Sequence, residues 1–135
     1  MNKEEHEIQS AAVEVLRNAI LPRYGNPPLF AIPNGGARHV ITGARLKREG
    51  VTAGMPDLML CSVRSNIIEG SQTDCGGLFI EVKTRKGRLQ DNQKNMIERL
   101  RKEDYVVAVC RSVEEIIDAV ASYLQGSYET NKFNG

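Results

Sequence analysis

Apolar side chains recur along this chain in two different spacings, and the spacings predict alternating helices and strands. A helical stripe runs from about residue 4 to residue 19 and contains Ile8, Ala12, Val15, Leu16 and Ala19. A second helix is predicted over about 91–102, and a third follows a possible capping box formed by Ser112 and Glu115. Three prolines and a glycine between residues 21 and 28 end the first helix.

Short apolar runs predict four strands between these helices, at about 29–32, 57–63, 78–84 and 105–110. The last run is almost wholly apolar, as expected for a strand that is buried on both faces. A long connection over 33–54, with a helical turn near 44–48, and a polar loop over 64–77 complete the chain. The predicted order is therefore α-β-β-β-α-β-α, which belongs to the α/β class.

The length and composition favour one domain. With 135 residues, 41% apolar and 26% charged, the chain fits a single compact domain over 1–125, followed by a polar tail over 126–135 that we predict to be flexible. No apolar stretch approaches the roughly 20 residues that span a bilayer. Three cysteines without metal-ligand spacing are expected to be reduced thiols, so the protein is predicted to be cytoplasmic.

The net charge is only +1, but the basic residues are unevenly distributed. One group consists of Arg38, Arg45, Lys47 and Arg48, of which we predict the first three to bind DNA. A second group follows the 78–84 strand and contains Arg85, Lys86 and Arg88, for which we predict contact with phosphates. Asn34, followed by two glycines, either approaches a substrate backbone or only forms a turn.

The strand over 78–84 carries two charges in an apolar setting. Side chains alternate between the two faces of a strand, so Glu81 and Lys83 are predicted to share one face with Phe79. If Asp57 begins a neighbouring strand, its carboxylate can join Glu81 in binding a divalent cation with Lys83 beside them. These are the residue types that phosphodiester cleavage requires, because the reaction needs an activated water and stabilised negative charge.

The arrangement of these residues resembles that of the PD-(D/E)XK nuclease superfamily, and more narrowly that of the VRR-NUC family. The resemblance rests on Pro56-Asp57 before one strand, Glu81-Val82-Lys83 in the next, and the flanking segments 5–9, 32–36, 50–58, 77–84 and 105–112, with Gly87 and Gln93. It covers nearly the whole chain up to the tail. It implies a restriction-endonuclease-like core with a central mixed sheet flanked by helices.

The resemblance also implies roles for individual residues. Asp57 and Glu81 are the expected ligands of Mg²⁺, which Mn²⁺ would replace, with the backbone carbonyl of Val82 as a third. Lys83 would orient or activate the attacking water, as an acid, a base or a clamp. From helical spacing Glu5 is the first-helix glutamate that completes the site as a further ligand, unless it only stabilises the helix start. Gln93 either reaches the site or is an exposed helix residue.

The leading functional hypothesis is a metal-dependent endonuclease that acts on branched DNA. Resemblance to stand-alone members of phage type implies a homodimer that resolves Holliday junctions, working in the host cytoplasm or nucleoid if the protein is encoded by a phage. One alternative is a non-catalytic DNA-binding module on the same fold. The other is a flap, restriction-type or RNA-directed nuclease.

Overall fold

The structure is a computed structural model that describes residues 1–33 and 40–135. Its α-helices are α1 (Lys3–Val15), α2 (Val40–Arg48), α3 (Asp91–Lys102) and α4 (Val113–Gln125). Its strands are β1 (Leu29–Ala31), β2 (Leu58–Leu60), β3 (Arg64–Ile68), β4 (Ser71–Cys75), β5 (Leu78–Val82) and β6 (Val106–Cys110). Within the described ranges, no helix is long and apolar enough to cross a membrane.

The central sheet has the strand order β1-β2-β5-β6 and is mixed, which confirms the predicted mixed sheet flanked by helices. β2 runs antiparallel to β1 and to β5, whereas β5 and β6 are parallel. Leu78, Ile80 and Val82 face the larger core, which α1 and α4 cover. Phe79, on the opposite face, packs with Ile97 of α3. All residues of β5 and β6 are buried because helices cover both faces.

Local side-chain chemistry explains the helix boundaries. Asn2 accepts a hydrogen bond from the backbone of Glu5 and begins α1. The helical path then continues through a π-helical turn, Leu16–Ile20, and a short 3₁₀ turn. At α4, Ser112 accepts from the backbone of Glu115, but the Glu115 carboxylate accepts from Arg111 instead of Ser112. Only half of the predicted capping box is therefore present.

Of two predictions about the connections, one is wrong and the other is too short. The segment 64–77, predicted to be a loop, contains a β-hairpin of β3 and β4, whose two-residue turn has Glu69 and Gly70 at positive φ. The two strands are largely exposed, so their sequences show no alternation of apolar and polar residues. The hairpin is instead anchored by the buried amide of Asn66, which forms hydrogen bonds with the backbones of Tyr123 and Tyr128. The turn predicted at 44–48 is the end of the longer helix α2.

The tail over 126–135, predicted to be flexible, is packed against the domain. Tyr128 and Phe133 join the larger core, and the Phe133 carbonyl accepts from the backbone of Val109, 2.8 Å away. Asn134 forms a parallel bridge to the same residue of β6. Two aromatic side chains thus bury enough apolar surface to order a segment whose average composition is polar.

Replacing Phe133 by alanine should test this packing. We expect the free energy of unfolding to fall by about 3 kcal/mol, since truncating a buried phenylalanine removes burial and leaves a cavity. Phe30→Ala is the matched control, because Phe30 is 43% exposed and should lose less than about 1 kcal/mol. Equal losses in chemical denaturation would contradict the packed tail.

Candidate active site

Asp57 and Glu81 meet where β2 begins beside β5. The register pairs Leu58 with Ile80, so the next step back along β2 brings Asp57 opposite Glu81 on the same face. The backbone N–H of Asp57 donates to the Ile80 carbonyl at 2.9 Å, and its Oδ2 accepts from the Val82 N–H at 2.7 Å. Asp57 therefore contacts β5 on both sides of Glu81, which fixes its carboxylate next to that of Glu81.

Lys83 lies directly after β5, where its backbone N–H donates to the Cys110 carbonyl of β6. Its Nζ is 3.7 Å from Oε2 of Glu81. Asp57, Glu81 and Lys83 are 7%, 2% and 8% exposed. Three ionisable side chains are thus gathered at one end of the sheet and largely removed from water, as the strand alternation predicts.

Burial sets the proton affinity of the carboxyl pair. It raises the pKa of Glu81 to about 9, with further increases from the Asp57 charge, a hydrogen bond between the two carboxyls and the charge of Glu5, while Lys83 opposes them. Burial also raises the pKa of Asp57, although the Val82 N–H acts against it. Without a cation the pair therefore retains a proton at neutral pH, because two adjacent buried carboxylates repel each other.

The oxygen donors of this pair fit a hard divalent cation. Oε1 of Glu81 is buried and has no hydrogen-bond partner, so it lacks the compensation that a buried polar atom needs. In an extended strand the N–H and C=O of one residue point to the same side, which directs the Val82 carbonyl towards the Asp57 side of β5. Two carboxylates and a carbonyl, completed by water, are the donor set that Mg²⁺ accepts.

Glu5 lies near this pair but does not complete a three-carboxylate cluster. Its charge raises the pKa of both Asp57 and Glu81. Its Oε1 also accepts from the Asn2 N–H at 3.3 Å, so it takes part in the capping box of α1. In the part of the chain that the structure describes, no three His, Cys, Asp or Glu side chains are placed to hold a metal together. Direct ligation by Glu5 stays a prediction.

Gln93 takes part in the start of α3. Its Oε1 accepts from the Gln90 N–H at 2.9 Å, which forms one half of a capping box. The helix start also lies against the segment that leads to Asp57, since a Cβ added at Gly54 would be 2.6 Å from the Asn92 carbonyl oxygen. The hydrogen bonds of Gln93 thus tie it to the helix and not to the carboxyl pair.

The predicted phosphate-binding residues are only partly near the site. Arg85 and Lys86 occupy an exposed turn over 84–87, immediately after Lys83, and Arg88 is exposed just beyond it. Arg45 and Lys47 lie on α2, where Arg45 pairs with Glu49. Asn34 and Arg38 lie outside the described residues. Of these residues, Arg85, Lys86 and Arg88 directly follow the strand that carries Glu81 and the adjacent Lys83.

Arg111 is a residue of the site region that sequence reasoning missed. It directly follows β6, and the parallel pairing of Val82 with Cys110 brings it beside the exit of β5. Its Nη1 donates to the carbonyls of Thr84, at 2.7 Å, and Gly87, at 2.6 Å, and more distantly to that of Arg85. The available signal was its position after a buried strand, since residues that follow neighbouring parallel strands meet at the same sheet edge.

Comparison with known proteins agrees with the class that this fold and site define, a nuclease-type domain. The family model of the VRR-NUC domain matches residues 31–114, which is more than half of the chain. The chain therefore belongs to the VRR-NUC family, as its motifs predicted. Membership implies nuclease activity and DNA as the substrate. The matched range contains Asp57, Glu81, Lys83 and Arg111 but not Glu5.

A solved structure gives the same result over almost the whole chain. It is described as a VRR_NUC domain protein, is 25% identical, and superposes with a TM-score of 0.71 over 96% of each chain. The comparison with curated proteins gave no match.

Proposed function

We propose that this VRR-NUC protein is a metal-dependent, structure-selective DNA endonuclease with a catalytic centre of the PD-(D/E)XK type. The observation that carries the proposal is the buried pair of Asp57 and Glu81, with an unpartnered Glu81 oxygen and Lys83 at 3.7 Å. A pair that retains a proton when alone is expected to exchange that proton for a divalent cation. Binding of the cation would offset the cost of burying two carboxylates next to each other.

Each side chain has a distinct task in this proposal. Asp57 and Glu81 would hold Mg²⁺ or Mn²⁺, together with the Val82 carbonyl. The cation supplies charge neutralisation at the phosphate and lowers the pKa of water. Lys83 extends from the end of β5, where its ammonium group can bind a non-bridging phosphate oxygen or orient the attacking water. Glu5 adds negative charge that favours a cation in the site.

A non-catalytic DNA-binding module is the weaker alternative. Such a module needs basic residues, whereas two buried carboxylates repel phosphate unless a cation separates them. If these two positions contributed only to the stability of the fold, apolar residues would be favoured there, because buried carboxylates carry a desolvation cost. The carboxyl pair therefore supports catalysis over binding alone.

The proposed substrate is branched DNA, with Holliday junction resolution by a homodimer as the specific form. One site of this size cuts one strand, so paired incisions across a junction require two copies. Sedimentation of the free protein and mapping of junction products test this part together. A monomer that makes single nicks would remove the homodimer and the resolution of junctions, but would leave the nuclease proposal intact.

The basic residues after β5 give a separate prediction. Changing Arg85, Lys86 and Arg88 together to glutamine should weaken junction binding by about tenfold or more. The slope of log Kd against log salt should fall by about two to three units, because each lost phosphate contact removes about 0.9. Titrations at several salt concentrations measure both quantities.

A charge-matched control separates phosphate contact from general charge. Lys94, Arg99 and Lys102 are exposed on α3, and their triple change to glutamine removes the same charge from this helix instead of from the segment that follows Lys83. We expect a smaller loss of affinity and a nearly unchanged slope. Equal effects of the two triple variants would return Arg85, Lys86 and Arg88 to the role of solvated surface residues.

A further inference from the structure

The turn over 84–87 is held in shape by a single guanidinium group. Nη1 of Arg111 donates to three carbonyl oxygens of this turn, and Gly87 N–H closes the turn onto the Thr84 carbonyl at 3.1 Å. Arginine suits this position because its guanidinium is planar and rigid, so that Nη1 is directed at the turn while Nη2 binds the Gly135 backbone oxygen. The turn carries Arg85 and Lys86, so its backbone shape decides where those two side chains can point.

Arg111 is itself anchored on two sides. Its backbone N–H donates to Oε1 of Glu115 at 3.1 Å, and its Nη2 donates to the Gly135 backbone oxygen at 3.2 Å. The turn is also tied to the sheet, because the Lys83 N–H donates to the Cys110 carbonyl next to Arg111. The guanidinium thus joins the end of β6 to the segment that follows the proposed catalytic lysine.

Peptide geometry gives this arrangement a chemical consequence. In a trans peptide the C=O and the following N–H point in opposite directions. Three carbonyls directed at Arg111 therefore turn the N–H groups of Arg85, Lys86 and Arg88 away from it. Those three residues also carry the exposed cations, so N–H donors and positive side chains are offered together. This combination favours an anion such as a phosphodiester.

We propose that Arg111 is a positioning residue that shapes the 84–87 turn into a phosphate-binding element beside Lys83. The inference rests on the proposed function and adds a residue that acts through the backbone of the turn. Arg111 would thereby set the affinity for the DNA backbone and not the rate of the chemical step. Its guanidinium is used by the carbonyls, so its own charge is not the binding group.

The test compares Arg111→Met with Arg101→Met. Arg101 is a matched control, because its Nη2 donates to the Val107 carbonyl of β6 at 2.8 Å and the change removes the same charge. We expect Arg111→Met to raise Kd for a DNA junction, measured without divalent metal, by about tenfold, and the salt slope to fall by about one to two units. In Mg²⁺, KM should rise similarly while kcat changes less than about threefold. Arg101→Met should change neither quantity appreciably.

Arg111→Lys separates positioning from charge. A lysine keeps the positive charge but ends in one freely rotating nitrogen, without the second nitrogen that binds Gly135 and orients the guanidinium, so we expect a Kd close to that of Arg111→Met. An affinity of Arg111→Lys near that of the wild type would overturn the proposal, as would equal effects of Arg111→Met and Arg101→Met. A wild-type protein that binds no DNA would overturn it as well.

A measurement on the unchanged protein covers variants that fail to fold. In amide NMR spectra, a short duplex should shift the N–H resonances of Arg85, Lys86 and Arg88, while those of Arg99 and Lys102 stay in place. Unshifted turn resonances under saturating DNA would overturn the proposal. A wild type that binds but does not cut would defeat the proposed function alone, because the binding comparisons still decide the role of Arg111.

Discussion

Asp57→Asn and Lys83→Ala are each expected to lower cleavage of a four-way DNA junction in Mg²⁺ by about a thousandfold or more, and to change junction affinity by less than about threefold. Asp57→Asn removes one of the two negative charges proposed to hold the cation, and Lys83→Ala removes the ammonium 3.7 Å from Glu81. A thousandfold loss corresponds to about 4 kcal/mol of transition-state stabilisation. Single-turnover cleavage and binding titrations measure the two effects separately.

Lys102→Ala is the matched control for Lys83→Ala. Lys102 pairs with Glu98 on the exposed surface of α3, so its removal should leave cleavage within about twofold of the wild type. Undiminished cleavage by either Asp57→Asn or Lys83→Ala would defeat the assignment of the site. A parallel loss of binding would instead indicate that the change disturbs the fold.

Glu81→Gln is expected to abolish cleavage to the same extent and yet to stabilise the metal-free protein. Burial raises the pKa of Glu81 to about 9 in the folded state, above its ordinary value of 4.5. The folded protein therefore binds more protons between these pH values, and its stability falls as pH rises through that window. Glutamine mimics the protonated form and does not titrate, so it avoids this loss.

The stabilising effect of Glu81→Gln should therefore depend on pH. We expect little difference from the wild type at pH 5, and at pH 8 a gain of about 1–2 kcal/mol, or roughly 4–8 °C in melting temperature. Mg²⁺ should then raise the melting temperature of the wild type but not of the variant, because only the wild type retains the site. Thermal melts across pH, with and without metal, measure both.

Glu98→Gln makes the same chemical change at an exposed position and provides the control. Its side chain is 70% exposed, so we expect no comparable change in the pH dependence of stability. A destabilised Glu81→Gln protein at pH 8, or one stabilised equally at pH 5 and pH 8, would contradict a carboxyl pair that retains a proton.

The positions of Asp57, Glu81 and Lys83 at the centre of the site could be predicted from the sequence, because the signals that mark them lie within short segments of the chain. Alternation along a strand places Glu81 and Lys83 on the same face, and an apolar run interrupted by charges is visible without a fold. Pairing Asp57 with Glu81 needed one further assumption, that the strands which they mark are neighbours. The register of β2 and β5 satisfies it.

Features that depend on distant contacts could not be predicted in this way. The β3–β4 hairpin carries polar residues on exposed strands, and its anchor is the buried amide of Asn66, whose partners lie more than 50 residues away. The tail has a polar composition, and its order depends on contacts that the sequence does not show, between Phe133 and β6. In the sequence, Arg111 cannot be distinguished from other charged residues at the ends of strands. Its hydrogen-bond partners are carbonyls of the 84–87 turn, which follows β5 and not β6.

Metal-dependent nuclease activity is tested by incubating the purified wild-type protein with linear duplex, flap and four-way DNA, each with EDTA, Mg²⁺ or Mn²⁺. We expect cleavage only with a divalent metal, and faster cleavage of the four-way junction than of the linear duplex. Binding of all three DNAs without cleavage in either metal would contradict it and identify a binding module. Equal rates on all three would contradict selectivity for branched DNA.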